Sequence, residues 1–209
     1  DKPRSLCAFI APTYRQGKAI AWDYLKQYTK PLMYFGGDKN ETELRIDLWN
    51  GSKIQIYGAD NNDSLRGLGF HGVIMDEYAI MAPRTWTEIV RPAISDTLGW
   101  VIFIGTPMGH NQFWEEYDYA LRGHKDWFGK LYRASETGVI PDDELKEAAS
   151  IMTEEQYNQE FECSFTAAVS GSYYGKLMTK ADNENRIGSV PLDSNVGVET
   201  WWDLGIGDS

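Results

Sequence analysis

Residue types that build disulfide frameworks and zinc sites are scarce in this sequence. It has two cysteines, Cys7 and Cys163, and three histidines that are scattered along the chain. Both kinds of framework need such residues at close, paired spacings, so neither is expected. A long apolar run is also missing, which argues against a membrane span and an export signal. We therefore expect an intracellular protein in a reducing setting.

Positive charge is scarce as well. The chain has 20 Lys and Arg against 31 Asp and Glu, which gives a formal net charge of −11. Nonspecific coating of nucleic acid depends on clustered cations, so this function is excluded and any contact with DNA must be local. Hydrophobic residues make up 42% of the chain and aromatic residues 13%, which favours a soluble globular protein over a disordered one.

The order of apolar runs and helical stretches indicates an α/β fold with a mostly parallel sheet. Helices are predicted over residues 15–28 and 85–95, and further amphipathic helices within residues 110–168. Ligands of such sheets bind beyond the carboxyl ends of the strands, so functional residues are expected there. The predicted strands are Ser5–Ala11, Glu43–Trp49, Lys53–Gly58 (a hairpin around Asn50-Gly51), Val73–Met75, Trp100–Ile104, Trp127–Arg133 and Val196–Trp202.

Two adjacent carboxylates follow the apolar strand at Val73–Met75. Asp76 and Glu77 repel each other and lose hydration at a strand end unless a cation or solvent compensates them. Bound Mg²⁺ would do so, with Asp76 holding the ion and Glu77 polarising a water that attacks a terminal phosphate. The alternative is a strand that simply ends in solvated acids.

Four further residues are candidates for phosphate chemistry. Gly105 and Thr106 follow the next predicted strand, where the hydroxyl of Thr106 could sense a γ-phosphate, or where both residues could form a plain turn. Arg66 lies in a glycine-containing loop, either as a surface residue or as an arginine delivered to the phosphates in the transition state. Asp203 follows an apolar strand and is either the first carboxylate of a two-metal nuclease or a solvated loop acid.

Taken in order, these segments resemble the large subunit of the terminase of tailed double-stranded DNA phages. The resemblance spans nearly the whole chain, and it is the order and spacing of the segments that make it specific. They are Ala11-Pro12-Thr13-Tyr14, Ser64-Leu65-Arg66-Gly67, Val73–Glu77, Gly105-Thr106-Pro107-Met108-Gly109, Glu154–Phe165 and Trp202-Asp203-Leu204-Gly205.

The resemblance implies roles for individual residues. Asp76 becomes the Mg²⁺ ligand and Glu77 the catalytic base of an ATPase. Gly105 and Thr106 fall on the motif that couples ATP hydrolysis to DNA movement. Arg66 falls where the family has an arginine thought to reach the ATP of the neighbouring subunit. Asp203 becomes the first Mg²⁺ or Mn²⁺ ligand of a ribonuclease H-like nuclease.

The resemblance also implies partners and a setting. The family packages and cuts double-stranded DNA as a pentameric ring on the portal of an empty procapsid, with a small terminase subunit that selects the DNA. The expected location is the host cell cytoplasm and, transiently, the procapsid, with no membrane partner.

The implied fold is a RecA-like P-loop ATPase core of the ASCE type (residues 1–109), a helical lid (110–170), a linker (171–195) and the first strand of a ribonuclease H-like domain (196–209). The first strand of the core and its phosphate-binding loop have no match in the sequence. Gly17-Lys18-Ala19 resembles the end of such a loop but has Ala where Ser or Thr should bind Mg²⁺. We therefore expect a fragment that by itself neither hydrolyses ATP nor cuts DNA efficiently.

Two rival interpretations remain open from the sequence. A helicase-type RecA-like ATPase shares the acids at the strand end and would continue into a second RecA-like domain. A catalytically silent assembly module would keep the fold and bind a portal or DNA. The pair Asp76-Glu77 argues against the silent module, because such a module gains nothing from two repelling carboxylates.

Overall fold

A six-stranded mixed sheet forms the core of the protein. The computed structural model describes residues 3–33, 36–166, 174–188 and 197. The strands are β1 (Leu6–Ala11), β2 (Asp38–Asn40), β3 (Arg45–Asp47), β4 (Lys53–Gly58), β5 (Gly72–Met75) and β6 (Trp100–Phe103). Their spatial order is β2-β3-β4-β1-β5-β6, and the four strands from β4 to β6 in this order are parallel. The predicted mostly parallel α/β sheet is therefore confirmed.

Helices connect the strands and continue beyond the last one. The α-helices are α1 (Tyr14–Met33), α2 (Arg91–Ser95), α3 (Gln112–Leu121), α4 (Ala134–Thr137), α5 (Asp142–Ile151), α6 (Glu154–Glu160) and α7 (Gly175–Asn183). Short 3₁₀-helices occupy Ala59–Leu65 and Tyr78–Ile80, and a π-helical turn at Thr85–Val90 leads directly into α2. The chain divides into two compact units after residue 171, and α7 lies in the second unit.

The central strands are apolar because both of their faces are covered. Ile10 of β1 and Val73 and Met75 of β5 are fully buried in one cluster with Phe70 and Tyr78. Strands that are buried on both faces carry continuous apolar runs. This is why the sequence predicts the parallel centre of the sheet well.

Helix α1 packs against one face of the sheet through Trp22. This side chain is 2% exposed and contacts a second buried cluster that includes Ile46 and Ile56. Gly17 allows the close approach of the helix, since a Cβ atom at this position would lie 2.7 Å from Cγ2 of Ile56. The predicted helix is confirmed, and it extends five residues beyond the predicted end at Tyr28.

The predicted hairpin is confirmed in an antiparallel pair of β3 with β4. Gly51 has a φ of +79°, as a tight turn of the Asn-Gly type requires. Strand β2, which pairs antiparallel with β3, was not predicted. Its sequence Asp38-Lys39-Asn40 has no apolar alternation, and only its pairing with a neighbour makes it a strand.

The predicted strand at Trp127–Arg133 is wrong. These residues form no ladder and have no regular secondary structure. Residues 125–132 line one wall of a groove of about 1070 Å³, and Trp100–Ile104 lies on another wall. A strand needs a backbone neighbour about 4.8 Å away. Since the groove lies between this segment and β6, no strand among the described residues pairs with the strand-like sequence.

Candidate functional site

The carboxyl ends of three parallel strands meet at one edge of the sheet. In the register of the sheet Ile10 of β1 is opposite Met75 of β5, and Met75 is opposite Phe103 of β6. Backbone pairing continues past the strand ends, because Asp76 N donates to Ile10 O at 2.9 Å and Ile104 N donates to Met75 O at 3.0 Å. The residues that follow β5 and β6 therefore lie side by side.

Glu77 has a left-handed backbone with φ 52° and ψ 44°. This turn carries the chain away from the sheet, and Tyr78 N donates to Ile104 O at 3.0 Å. Gly105 comes so close that a Cβ atom on it would lie 3.1 Å from Glu77 Cα, and its own φ is +152°. Position 105 therefore requires glycine, both for its conformation and for its contact with Glu77.

Thr106 contacts Glu77 directly. Its backbone N–H donates a hydrogen bond to the Glu77 carboxylate, which favours the charged form of that group. Residues that follow two neighbouring strands, Glu77 after β5 and Thr106 after β6, are thus joined by a hydrogen bond. The structure thus places Asp76, Glu77, Gly105 and Thr106 next to one another at this edge of the sheet, and their functional roles stay a prediction.

Both carboxylates of this site are perturbed in the same direction. Burial raises the pKa of Asp76, and the hydrogen bond from the Glu77 backbone N–H opposes this shift. Burial also raises the pKa of Glu77, and the negative charges of Asp76 and Glu160 add to the effect. Ionisation of the pair is therefore costly without a compensating cation.

The pair fits a magnesium ion that takes its other ligands from elsewhere. Among the residues that the structure describes, no group of three or more His, Cys, Asp or Glu side chains could hold a metal. Mg²⁺ is typically bound through one or two carboxylates, with water and substrate phosphates as the remaining ligands. Asp76 and Glu77, both only partly buried at the sheet edge, offer the carboxylate oxygens for such an ion.

Arg66 lies apart from the acid pair. It directly follows the 3₁₀-helix Ala59–Leu65, and its guanidinium pairs with Asp63 at 3.2 Å and with Glu88 at 3.6 Å. About half of the side chain is exposed. Its recorded ion pairs and hydrogen bonds within the described residues do not include Asp76 or Glu77. The fold therefore does not bring Arg66 to Asp76 or Glu77 of its own chain.

Two residues that the sequence analysis missed hold the turn after Glu77. The side-chain amide of Gln112 donates to the carbonyls of Tyr78 and Met81 at 3.0 and 2.8 Å. The amide of Asn111 donates to Ala79 O at 2.8 Å. Asn111 was detectable as an N-cap, since Asn directly before a helix is a common start signal. Gln112 had no signal in the sequence, because its partners are backbone atoms of another element.

Strand β6 pairs with β5 along one edge and borders the groove along the other. In the described part of the chain, β6 pairs only with β5, so its second edge faces the groove. The walls include the aromatic side chains Trp86, Phe113 and Trp127. The groove also reaches Gly105 at the carboxyl end of β6. A free backbone edge thus leads directly to the candidate site.

Asp203, the candidate nuclease ligand, lies outside the described residues, as does every residue of the strand predicted at 196–202 except Gly197. Membrane insertion finds no support in the described ranges, where no helix combines the length and the apolar character needed to cross a bilayer.

Sequence comparison relates the chain to phage proteins. It is 40% identical over 139 residues to the terminase large subunit of Thermus virus P23-45, a match that covers 58% of the chain and 29% of that protein. It is 26% identical over 170 residues to the terminase large subunit of Escherichia phage T5, covering 79% of the chain and 38% of that protein. The chain thus spans less than two fifths of the length of these curated relatives. No protein-family model matches the chain.

Several solved structures with the same fold come from phage large terminases. The large terminase ATPase domain of Thermus phage P74-26 superimposes with a TM-score of 0.70 at 24% identity, covering 78% of both chains. The large terminase of another thermophilic bacteriophage, in complex with ADP, superimposes with a TM-score of 0.62 at 14% identity, covering 78% of this chain and 41% of the other. The resemblance predicted from the sequence is confirmed: the chain is similar to large terminase subunits of tailed phages, and its fold is that of their ATPase domains.

Proposed function

We propose that this chain is part of the ATPase of a viral DNA-packaging motor, which hydrolyses ATP to move double-stranded DNA into a procapsid. The observation that carries the proposal is the meeting of Asp76-Glu77 with Gly105-Thr106 at the carboxyl ends of β5 and β6, where Tyr78 N donates to Ile104 O at 3.0 Å and Gly105 packs closely against Glu77. It lies in a fold shared with large terminase ATPase domains, and one large terminase with that fold was solved with ADP. An ATPase needs a carboxylate pair and a phosphate-sensing group at this edge of its sheet.

Asp76 and Glu77 divide the chemistry in this proposal. Mg²⁺ bound with ATP neutralises charge on the phosphates. Asp76 orients the ion, directly or through water, and the ion in turn lowers the cost of ionising both carboxylates. Glu77 accepts a proton from the attacking water as the general base.

Gly105 and Thr106 link the hydrolysis site to the next strand. The Thr106 N–H holds the Glu77 carboxylate in one position, and Gly105 allows the two strand ends to touch. We propose that Thr106 senses the γ-phosphate and that its movement after hydrolysis frees or repositions Glu77. This role matches the coupling motif that the terminase resemblance implies.

Arg66 is assigned to a neighbouring subunit's ATP. Its guanidinium is half exposed and pairs with surface acids away from Asp76 and Glu77, so a role within its own site has no geometric support. Exposed ion pairs contribute only about 0–1 kcal/mol each, so Arg66 is easily released from Asp63 and Glu88. In a ring of subunits, for which a pentamer is the expectation, this arginine would stabilise charge on the transferred phosphate.

The phosphate-binding loop belongs beside β6 in this proposal. A further strand that pairs with the free edge of β6 would fill the groove and end next to Gly105. It would also give residues 127–133 a neighbour and explain their strand-like sequence. The loop after such a strand would reach the phosphates opposite Asp76.

The remaining assignments follow what the resemblance to large terminase subunits implies. We propose a metal-dependent nuclease with Asp203 as a Mg²⁺ or Mn²⁺ ligand, which cuts the DNA concatemer. The proposed partners are double-stranded DNA, a portal protein and a small terminase subunit, and the proposed location is the host cytoplasm and the procapsid.

The test is ATP turnover with Mg²⁺ and DNA in the protein encoded by the complete open reading frame. Glu77→Gln keeps the shape of the side chain and removes the base, so kcat should fall about 10²- to 10⁴-fold while nucleotide binding persists. Glu147→Gln, on the exposed side of α5, removes the same charge away from the site and should leave turnover unchanged. Equal turnover of the Glu77→Gln variant and the wild type would sink the ATPase assignment and favour a silent assembly module.

A further inference from the structure

The turn that follows Glu77 is held by side chains from the start of α3. Gln112 Nε2 donates to Tyr78 O at 3.0 Å and to Met81 O at 2.8 Å, with a longer contact to Ala79 O at 3.3 Å. A primary amide has two N–H groups, so its donor capacity is fully used on this turn. The carbonyls that it satisfies belong to the first turn after the acid pair.

Asn111 holds the same turn and caps α3 at once. Its Oδ1 accepts from Phe113 N at 3.0 Å, which satisfies one of the free N–H groups at the helix start. Because the cap requires the oxygen at this position, the Nδ2 group must face the carbonyl of Ala79, to which it donates at 2.8 Å. The helix start and the turn are therefore fixed to each other.

An aromatic contact reinforces this connection. The rings of Tyr78 and Phe113 meet edge to face with their centroids 5.9 Å apart, and Tyr78 is fully buried. We name the hydrogen bonds of Asn111 and Gln112 to residues 78–81 the amide clamp. Together with the ring contact, the clamp fixes the turn to the N-terminal end of α3.

The amide clamp and Thr106 act on Glu77 from two sides. Thr106 N–H holds the carboxylate, while the clamp holds the backbone that begins one residue after Glu77. Only a short segment separates Thr106 from Asn111, so both contacts come from one stretch of chain between β6 and α3. The left-handed backbone of Glu77 is unfavourable by itself and persists only where its surroundings impose it.

We propose that Gln112 and Asn111 are positioning residues that set the orientation of Glu77 and transmit displacements of α3 to it. The inference rests on the proposed ATPase function of the site. A displacement of α3 shifts the turn through the clamp, and the turn shifts Glu77 relative to the attacking water. Gln112 touches neither substrate nor metal in this mechanism, and it acts only through Glu77.

The first experiment removes the clamp donors and measures turnover in the protein from the complete reading frame. Gln112→Met keeps the length of the side chain without its amide. Since misplacement by about 1 Å can cost about 100-fold, kcat should fall about 10- to 100-fold, with KM for ATP changed less than about 3-fold. Gln27→Met, on an exposed face of α1, is the matched control and should leave both constants unchanged.

A second variant guards against a simple folding defect. Asn111→Asp keeps an oxygen to cap α3 but cannot donate to Ala79 O, so it should lower kcat in the same way while the urea unfolding midpoint changes little. The decisive measurement is the turnover of double variants that combine each clamp substitution with Glu77→Gln. A residue that acts through Glu77 adds no further loss there, whereas a structural defect lowers the residual turnover again.

The outcomes separate this inference from the proposed function. If Glu77→Gln does not lower turnover, the ATPase assignment fails and the clamp loses its basis. If Glu77→Gln lowers turnover but Gln112→Met and Asn111→Asp leave kcat intact, the clamp inference alone is overturned. Additive losses in the Glu77→Gln background also overturn it, because they assign the residues to stability rather than to positioning.

Discussion

The left-handed backbone of Glu77 leads to a prediction with an unusual sign. At φ 52° and ψ 44° the Cβ atom of an L-residue crowds the following carbonyl, at a cost of about 1–2 kcal/mol. Glu77→Gly removes this Cβ atom, whereas Glu77→Ala retains it. Both variants lose the carboxylate and its contact with Thr106. The two variants therefore differ only in backbone strain and in the freedom of the unfolded chain.

The expected difference in stability follows from these two terms. Glycine recovers about 1–2 kcal/mol of strain in the folded state. It loses about 0.5–1 kcal/mol because the unfolded chain has more freedom. Glu77→Gly should therefore be more stable than Glu77→Ala by about 0.5–1 kcal/mol. For a protein of this size that difference corresponds to about 1–4 °C in Tm.

Urea unfolding of both variants at one pH measures this difference. The matched control is Gln27, an exposed residue in the interior of α1. There Gly should be less stable than Ala by about 1 kcal/mol, because the helix interior disfavours glycine. The two sites should thus give opposite signs. If Gly is also the less stable residue at position 77, by the margin found at position 27, the left-handed conformation of Glu77 is refuted.

Three further predictions concern the same site and α1. Gly105→Ala should destabilise the fold by about 1–3 kcal/mol, because it puts a Cβ atom at a positive φ against Glu77, and turnover should fall; equal stability in urea would contradict this. Gly17→Ala should cost about 1–3 kcal/mol despite its better helix propensity, since the new methyl group meets Ile56; a gain in Tm would argue against this packing. The raised pKa of Glu77 beside Asp76 means that stability from this carboxyl is present below its ordinary pKa and is lost as pH rises through the raised value. The Glu77→Gln variant should therefore gain stability relative to the wild type as pH rises from about 4 to 7 without Mg²⁺. If the difference between the urea unfolding midpoints of the two proteins does not change with pH, this prediction is wrong.

The local sequence predicted the elements that leave a clear pattern, such as an apolar run or a turn dipeptide. β5 carries a continuous apolar run because both of its faces are covered, and the Asn50-Gly51 turn specifies its hairpin by backbone preference alone. β6 carries a similar run, although Trp100 and Ile102 on one of its faces are half exposed. The acid pair could be placed at the mouth of β5 for the same reason, since parallel strands present their carboxyl ends to one edge.

Other features depend on neighbours that the sequence does not reveal. Strand β2 exists because β3 offers it a ladder, and its own residues have little strand propensity. Residues 127–133 have the opposite property, since their sequence suits a strand but no strand in the described part of the chain pairs with them. A strand is a property of a pair, so one segment alone cannot decide it.

The sequence by itself determined the parallel α/β core and the residue types of the site, because burial and strand-end chemistry leave a local pattern at Asp76 and Glu77. Only the tertiary structure decided how these residues are held. The Thr106 N–H on the Glu77 carboxylate and the Gln112 amide on the following carbonyls join positions from different elements. The left-handed turn of Glu77 lies between these contacts. Hydrogen bonds to backbone atoms require no particular residue in the partner, and so they leave no pattern in the sequence from which they could be predicted.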